Sequence, residues 1–263
     1  MALRIKKHSA LKTQGYVIKA LFKRELITRF GKYKLGAIWL LLDPLVSVLL
    51  LGLVLGPFLG RSSGSIPYSF FLLCGFMMLK LLTGPIITGI GAIRSNSGLL
   101  VFRQVQPIDP FLARFLYEFV SSMLAFTLFC VVGYFLGVPL ATDQLLGVLA
   151  AAIVTWLIGC GLGLAVGVLS MKFTELEKII TYIHRPMLFL SAILYPLTAV
   201  PYEYREYLLY NPLVHMVEYS RVCLFHEYET GDINFVYPIM FAIVSLTLGF
   251  MVYRNNRGFL TER

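Results

Sequence analysis

The sequence predicts an all-α membrane protein: six transmembrane helices, an amphipathic interfacial helix before the first, and short broken helices before the last. Three observations carry this. Six apolar stretches approach bilayer length, at residues 37–59, 68–93, 115–138, 145–169, 179–200 and 236–253. The chain is 58% hydrophobic with a mean hydropathy of +0.77, well above a soluble domain. Basic residues gather on one side of those stretches. A hydrocarbon core about 30 Å thick takes roughly 20 helical residues to cross. Backbone polar groups in lipid must pair within the segment, so apolar runs of this length form helices.

The arm, residues 1–36, is charged, and no small-residue cleavage site follows the first apolar run, so it is not expected to be a signal peptide. Within it, residues 16–30 are amphipathic. Ile18, Phe22, Leu26 and Phe30 recur every four residues, while Lys19, Lys23, Arg24 and Arg29 take the opposite face. A basic amphipathic helix of this kind lies in a membrane surface.

Residues 37–253 hold the six spans. Pro44 kinks the first, with Asp43 placed to cap the restarted portion. Lys80 falls near the middle of the second, where a cation costs about 2.5–3.5 kcal/mol on insertion scales. It either meets an anionic substrate in a lumen or serves structurally by pairing or snorkelling. The connection 94–114 begins at Ser95-Asn96-Ser97, carries Leu99, Leu100, Val101 and Phe102, and ends at Pro107 and Pro110. Such apolar residues on a loop invite a protein partner. The glycines of 159–167 read as small-residue helix packing rather than an ion filter. His184-Arg185-Pro186 enters the fifth span, and Arg185 serves equally as a phosphate attractor or as positive-inside anchoring.

Residues 201–235 are too long for an ordinary loop. Two short helices broken at Asn211-Pro212 fit them, lying in the outer leaflet or re-entering it. Aromatics gather at both boundaries: Tyr33 and Trp39 at one, Tyr68, Phe70, Phe71, Tyr195 and the tyrosines of 202–210 at the other. An interfacial belt explains most of them, and stacking against sugar rings is the alternative. A short tail, 254–263, closes the chain.

Nineteen of the 23 Lys and Arg lie in 1–36, 94–114, 171–185 and 254–263, which six spans place together. The opposite side has only Arg61, Arg205 and Arg221. The positive-inside rule then sets both termini in the cytoplasm. This distribution, rather than nucleic-acid binding, accounts for the net charge of +9. HExxH, GxSxG and GxxxxGK[ST] are absent, and the four histidines and four cysteines form no ligand spacing. No catalytic residue, metal or disulfide is expected.

The run from Arg24-Glu25 through Arg29-Phe30-Gly31-Lys32-Tyr33-Lys34-Leu35-Gly36 to Trp39 and Asp43-Pro44-Leu45 resembles the start of the ABC-2 polysaccharide export permeases. Its form is most similar to the capsular polysaccharide exporters of Gram-negative bacteria. Asn211-Pro212-Leu213 with Glu218 and Arg221 is similar to a second stretch of that family. Asp43 departs from the Glu or Asn more usual there. The resemblance implies the ABC-2 permease fold in a homodimer, driven by two copies of a cytoplasmic ATPase that bind ATP and Mg. No cofactor is implied for this chain. The cargo would be a lipid-linked acidic polysaccharide, with a periplasmic co-polymerase and an outer-membrane channel beyond. The connection 94–114 would be the coupling loop, with Ser97, Leu99, Leu100, Phe102 and Arg103 contacting the ATPase. Lys80, Arg24, Arg29, Arg185, Tyr33, Trp39, Phe71 and Tyr195 are the candidates for the substrate pathway. Another exported glycan, O-antigen or teichoic acid, is the nearest alternative; an intramembrane transferase is more remote.

Overall fold

The computed structural model describes residues 10–30, 36–59, 66–102 and 104–261. Among them there is no strand. Nine helices follow one another: α1 (Ala10–Phe30), α2 (Gly36–Leu59), α3 (Tyr68–Gly89), α4 (Asp109–Phe135), α5 (Leu145–Leu169), α6 (Glu175–Leu190), α7 (Tyr202–Leu209), α8 (Pro212–Leu224) and α9 (Val236–Thr261). Short 3₁₀ turns occupy Arg94–Leu99 and Leu197–Ala199. Four helices, α3, α4, α5 and α9, are long and apolar enough to cross a membrane. At 24 residues, α2 has the length as well.

The centre of the bundle is α3, packed against α2, α4, α5, α6 and α8. Phe71, Leu72, Met78 and Leu81 are wholly buried there. Pro85 has no N–H to give Leu81, four residues back. The carbonyls of Leu81 and Leu82 instead face Gly159 of α5, where an added Cβ would come within 2.5 Å of the Leu82 oxygen. Gly163 abuts Pro85, and Gly167 abuts Gly89 and Phe111. On the other side of α5, Gly161 lies against Ser245 and Gly249 of α9. The glycine run thus brings three backbones into direct contact, as small residues do between membrane helices.

Element boundaries differ from expectation in instructive places. Only α5 keeps both of its expected ends. α1 starts six residues before the amphipathic pattern, at Ala10, and α4 starts at Asp109 rather than 115. The largest correction is the expected fifth span, 179–200. Its helix, α6, runs from Glu175 and stops at Leu190. Ala192 then adopts φ 50°, a left-handed conformation that costs an L-residue about 1–2 kcal/mol. The apolar run continues, but not as a helix, because the carbonyls that helix would have paired find another donor. Arg221 of α8 donates to Ala192 O at 2.9 Å and to Ile193 O at 2.8 Å. Irregular backbone at this depth is tolerated where protein buries and satisfies it.

Candidate functional site

A cleft of about 390 Å³ opens between α1, α3, α4 and α6. One face of α3 lines it: Phe76, Lys80, Thr83, Gly84 and Ile87 recur at helical spacing. Lys80 is half-buried and lies about 18 Å along α3 from Tyr68 by helical rise. Across the cleft stand Arg29 of α1, Glu118 of α4 and His184 of α6. No hydrogen bond or ion pair joins Lys80 to another described residue.

Glu118 is nearly fully buried. It approaches α3 closely because residue 84 is glycine: a Cβ there would stand 3.1 Å from the carboxylate. Arg29 meets Glu118 at 3.0 Å and Glu25, one turn back on α1, also at 3.0 Å. Its guanidinium lies 4.4 Å from the centroid of the Tyr117 ring. Burial opposes the Arg29 charge, but Glu118, Tyr117 and Glu25 outweigh it and hold the guanidinium pKa above its ordinary value. The cleft therefore sets one fixed cation, engaged by carboxylates, near a second cation, Lys80, on the facing helix.

The arm is also tied to the connection after α3. Arg24 donates to Asn96 Oδ1 at 2.7 Å and to Ser95 O at 3.3 Å. Asn96 is buried and returns to Ala92 O at 2.7 Å. Arg114 donates to Thr88 O at 2.8 Å and Ser95 Oγ at 2.5 Å. Arg94 pairs with Glu177 of α6 at 3.0 Å and reaches Ser170 O. The 3₁₀ turn Arg94–Leu99 is thereby held to α1, α4 and α6. Of the two arm cations proposed from sequence for the pathway, Arg24 takes part in this network and Arg29 in the contact with Glu118.

Of the expected coupling residues, Ser97 bonds back to Arg94 O at 3.2 Å, while Leu99 and Leu100 are half-buried. Leu100 packs against the cluster formed by Ala92, Ile93, Phe111 and Phe115. Phe102 is 62% exposed, and its neighbour Val101 is 84% exposed. These two form the apolar tip of the connection. Arg103 and Tyr33 lie outside the described residues, as does the side chain of Trp39. Arg185 is exposed on α6, next to His184 but away from the cleft lining.

The segment between α6 and α9 holds a polar cluster that sequence reasoning noted only as a motif. Glu218 and Arg221, one turn apart on α8, form an ion pair of 2.8 Å with no exposure of either side chain. Glu218 also accepts from Tyr228 at 2.8 Å, Thr230 at 2.9 Å and Leu197 N at 3.3 Å. Phe71 is entirely buried within this cluster, beneath the Arg221 guanidinium. Asn211 caps α8 by accepting from Leu213 N and donates to Leu190 O and Ser191 Oγ where α6 ends. Tyr195 donates to Phe189 O at 2.6 Å. By contrast Tyr202, Tyr204, Tyr207 and Tyr210 are exposed. Among the described residues no cluster of three His, Cys, Asp or Glu side chains is arranged to hold a metal.

Comparison with known proteins identifies the chain's relatives. The family model described as "ABC-2 type transporter" matches residues 16–225. The chain is 34% identical over 247 residues to the Escherichia coli polysialic acid transport protein KpsM, covering 94% of this chain and 96% of the relative. It is 28% identical over 250 residues to the Neisseria meningitidis capsule polysaccharide export inner-membrane protein CtrC, covering 95% and 94%. To the Haemophilus influenzae capsule polysaccharide export inner-membrane protein BexB it is 27% identical over 250 residues, covering 94% and 93%.

Proposed function

Because this chain belongs to the ABC-2 type transporter family, we propose that it is the inner-membrane permease of a capsule exporter, moving a lipid-anchored acidic polysaccharide outward. Likeness to three capsule and polysialic acid export proteins along nearly the whole chain supports the cargo class. Lys80, set mid-span in a cleft it shares with Arg29, is the observation that carries the mechanism. A passing phosphate or uronate would exchange its hydration for these cations in a low-dielectric passage, where ion pairing is stronger than in water.

In this reading α2, α3, α4, α5, α6 with its broken continuation, and α9 are the six spans, and both termini are cytoplasmic. Two copies form the pathway. Two ATPase subunits bind ATP and Mg and seat on the tip formed by Val101 and Phe102. A periplasmic co-polymerase and an outer-membrane channel take the glycan onward. The chain itself makes and breaks no bond.

Deleting the chain from its host should leave the glycan lipid-linked inside the cell, and the full-length chain should restore it to the surface. Unchanged surface glycan after deletion would overturn the proposal.

A further inference from the structure

His215 of α8 is buried, and each of its ring nitrogens has one partner. Nε2 lies 2.9 Å from the carbonyl oxygen of Leu209, the last residue of α7. A carbonyl only accepts, so Nε2 carries the proton. Nδ1 lies 3.1 Å from the backbone nitrogen of Asn234. That N–H only donates, so Nδ1 is bare. The two contacts together fix one neutral tautomer. Burial favours the same form: it holds the imidazole pKa below its ordinary value, against the pull of the Leu209 carbonyl.

These contacts join three helices. Asn234 caps α9, its Oδ1 accepting from the N–H groups of Val236 and Tyr237 at 2.8 and 3.4 Å. Tyr237 returns to α7 through its hydroxyl, which donates to Tyr210 O at 2.8 Å. Its ring meets that of His215 edge-on, with centroids 5.5 Å apart. His215 thus stands where the end of α7, α8 and the start of α9 meet. Among these partners it alone changes charge between pH 5 and 8.

The surrounding charges are spent elsewhere. On α8, Glu218 lies one turn on and is taken by Arg221, Tyr228 and Thr230. On α7, Arg205 and Glu206 border a neighbouring polar pocket, together with Asp232 of the connection to α9. Glu203 and Tyr210 of α7 are exposed. From α9 the titratable group facing the ring is the Tyr237 phenol. No ion pair joins any of these to the imidazole. A second proton has to go on Nδ1, where it meets the Asn234 N–H. Two donors then face each other, and the bond is lost.

We propose that His215 is an acid-released latch: while neutral it holds α7 and α8 to the start of α9, and its protonation frees Asn234 and loosens that joint. The stability it contributes is complete above the ordinary imidazole value, about 6.5, and is lost as pH falls below it. The nearby pair of His226 and Asp143, 3.3 Å apart and exposed, has the opposite sense, since it needs a protonated ring. That the latch faces the outer side of the membrane rests on the orientation given above.

Hydrogen–deuterium exchange of the full-length permease in detergent reads the joint between pH 7.5 and 5.0, with rates corrected for the intrinsic effect of pH. Protection over residues 232–240 should fall about fivefold toward pH 5.0, the loss of one hydrogen bond, while that over α5 stays level. His215→Gln keeps a donor for Leu209 and takes no proton, so its protection there should not change with pH. Should it fail to fold, His215→Asn, which keeps an acceptor near Nδ1, serves in its place. His226→Gln should retain the parent profile. Protection in the parent that persists to pH 5.0 would overturn the proposal. So would an equal fall in His215→Gln or His215→Asn, which would assign the proton to another group. Neither cargo, ATP nor ATPase is present, so the outcome is independent of the transport reading.

Discussion

The guanidinium carbon of Arg221 lies 3.5 Å from the ring centroid of Phe71, 150 positions earlier in the chain. The same guanidinium pairs with Glu218 and donates to two carbonyls beyond the end of α6. One side chain, itself fully buried, thus joins α3, α8 and the segment that follows α6.

Arg221→Met should leave Glu218 buried without its counter-charge, a loss of about 3–5 kcal/mol for a pair of this kind. The yield of folded permease and its melting temperature in detergent should both fall. Arg221→Lys should recover only part, because one ammonium cannot span a carboxylate and two carbonyls as the planar fork does. Adding Glu218→Gln to Arg221→Met should recover some of the loss. An Arg221→Met protein that melts like the parent would show that the cluster does not hold the broken span.

Lys80 makes a different prediction. Lys80→Met keeps the apolar stem and deletes the charge. It should insert and fold with little change, since no described residue loses an ion-pair partner, and yet export less glycan per inserted molecule. Lys80→Arg should retain part of the export. Surface glycan quantified against membrane-inserted permease decides this, and normal export per molecule in Lys80→Met would refute the guiding role.

At the tip of the connection, Phe102→Asp should abolish co-purification of the ATPase while leaving the melting temperature of the permease near that of the parent. Leu100→Asp should instead destabilise the permease itself, by roughly 1–3 kcal/mol or more, because Leu100 packs against its own bundle. If Phe102→Asp retained both the ATPase and its stimulated activity, the contact would lie elsewhere.

Much of the fold was legible because bilayer thickness fixes helix length. α5 matched its expected ends at both residues, being a long apolar run free of Pro and charge. The end of α6 was not legible. Its apolar run continues to Val200, and the donor that ends the helix stands 28 and 29 positions away on α8. The candidate site was legible in part. Lys80 announced itself as a charge amid apolar residues. The pairing of Glu118 with Arg29, 89 positions apart, depends on how α1 docks, which no local pattern encodes. Phe71 read as a boundary aromatic, and only the folded chain reveals Arg221 covering it.

The glycine contacts among α3, α5 and α9 bear on how such a machine can move. Backbone touches backbone at Gly159, Gly163 and Gly161, with no side chain between to act as a bearing. Advancing α5 by one residue, about 1.5 Å, would bring Cys160 or Leu162 toward carbonyls that now leave no room for a Cβ. These three helices are therefore locked in register, like a keyed shaft. They form one unit, and any stroke large enough to pass a polymer has to leave that unit intact.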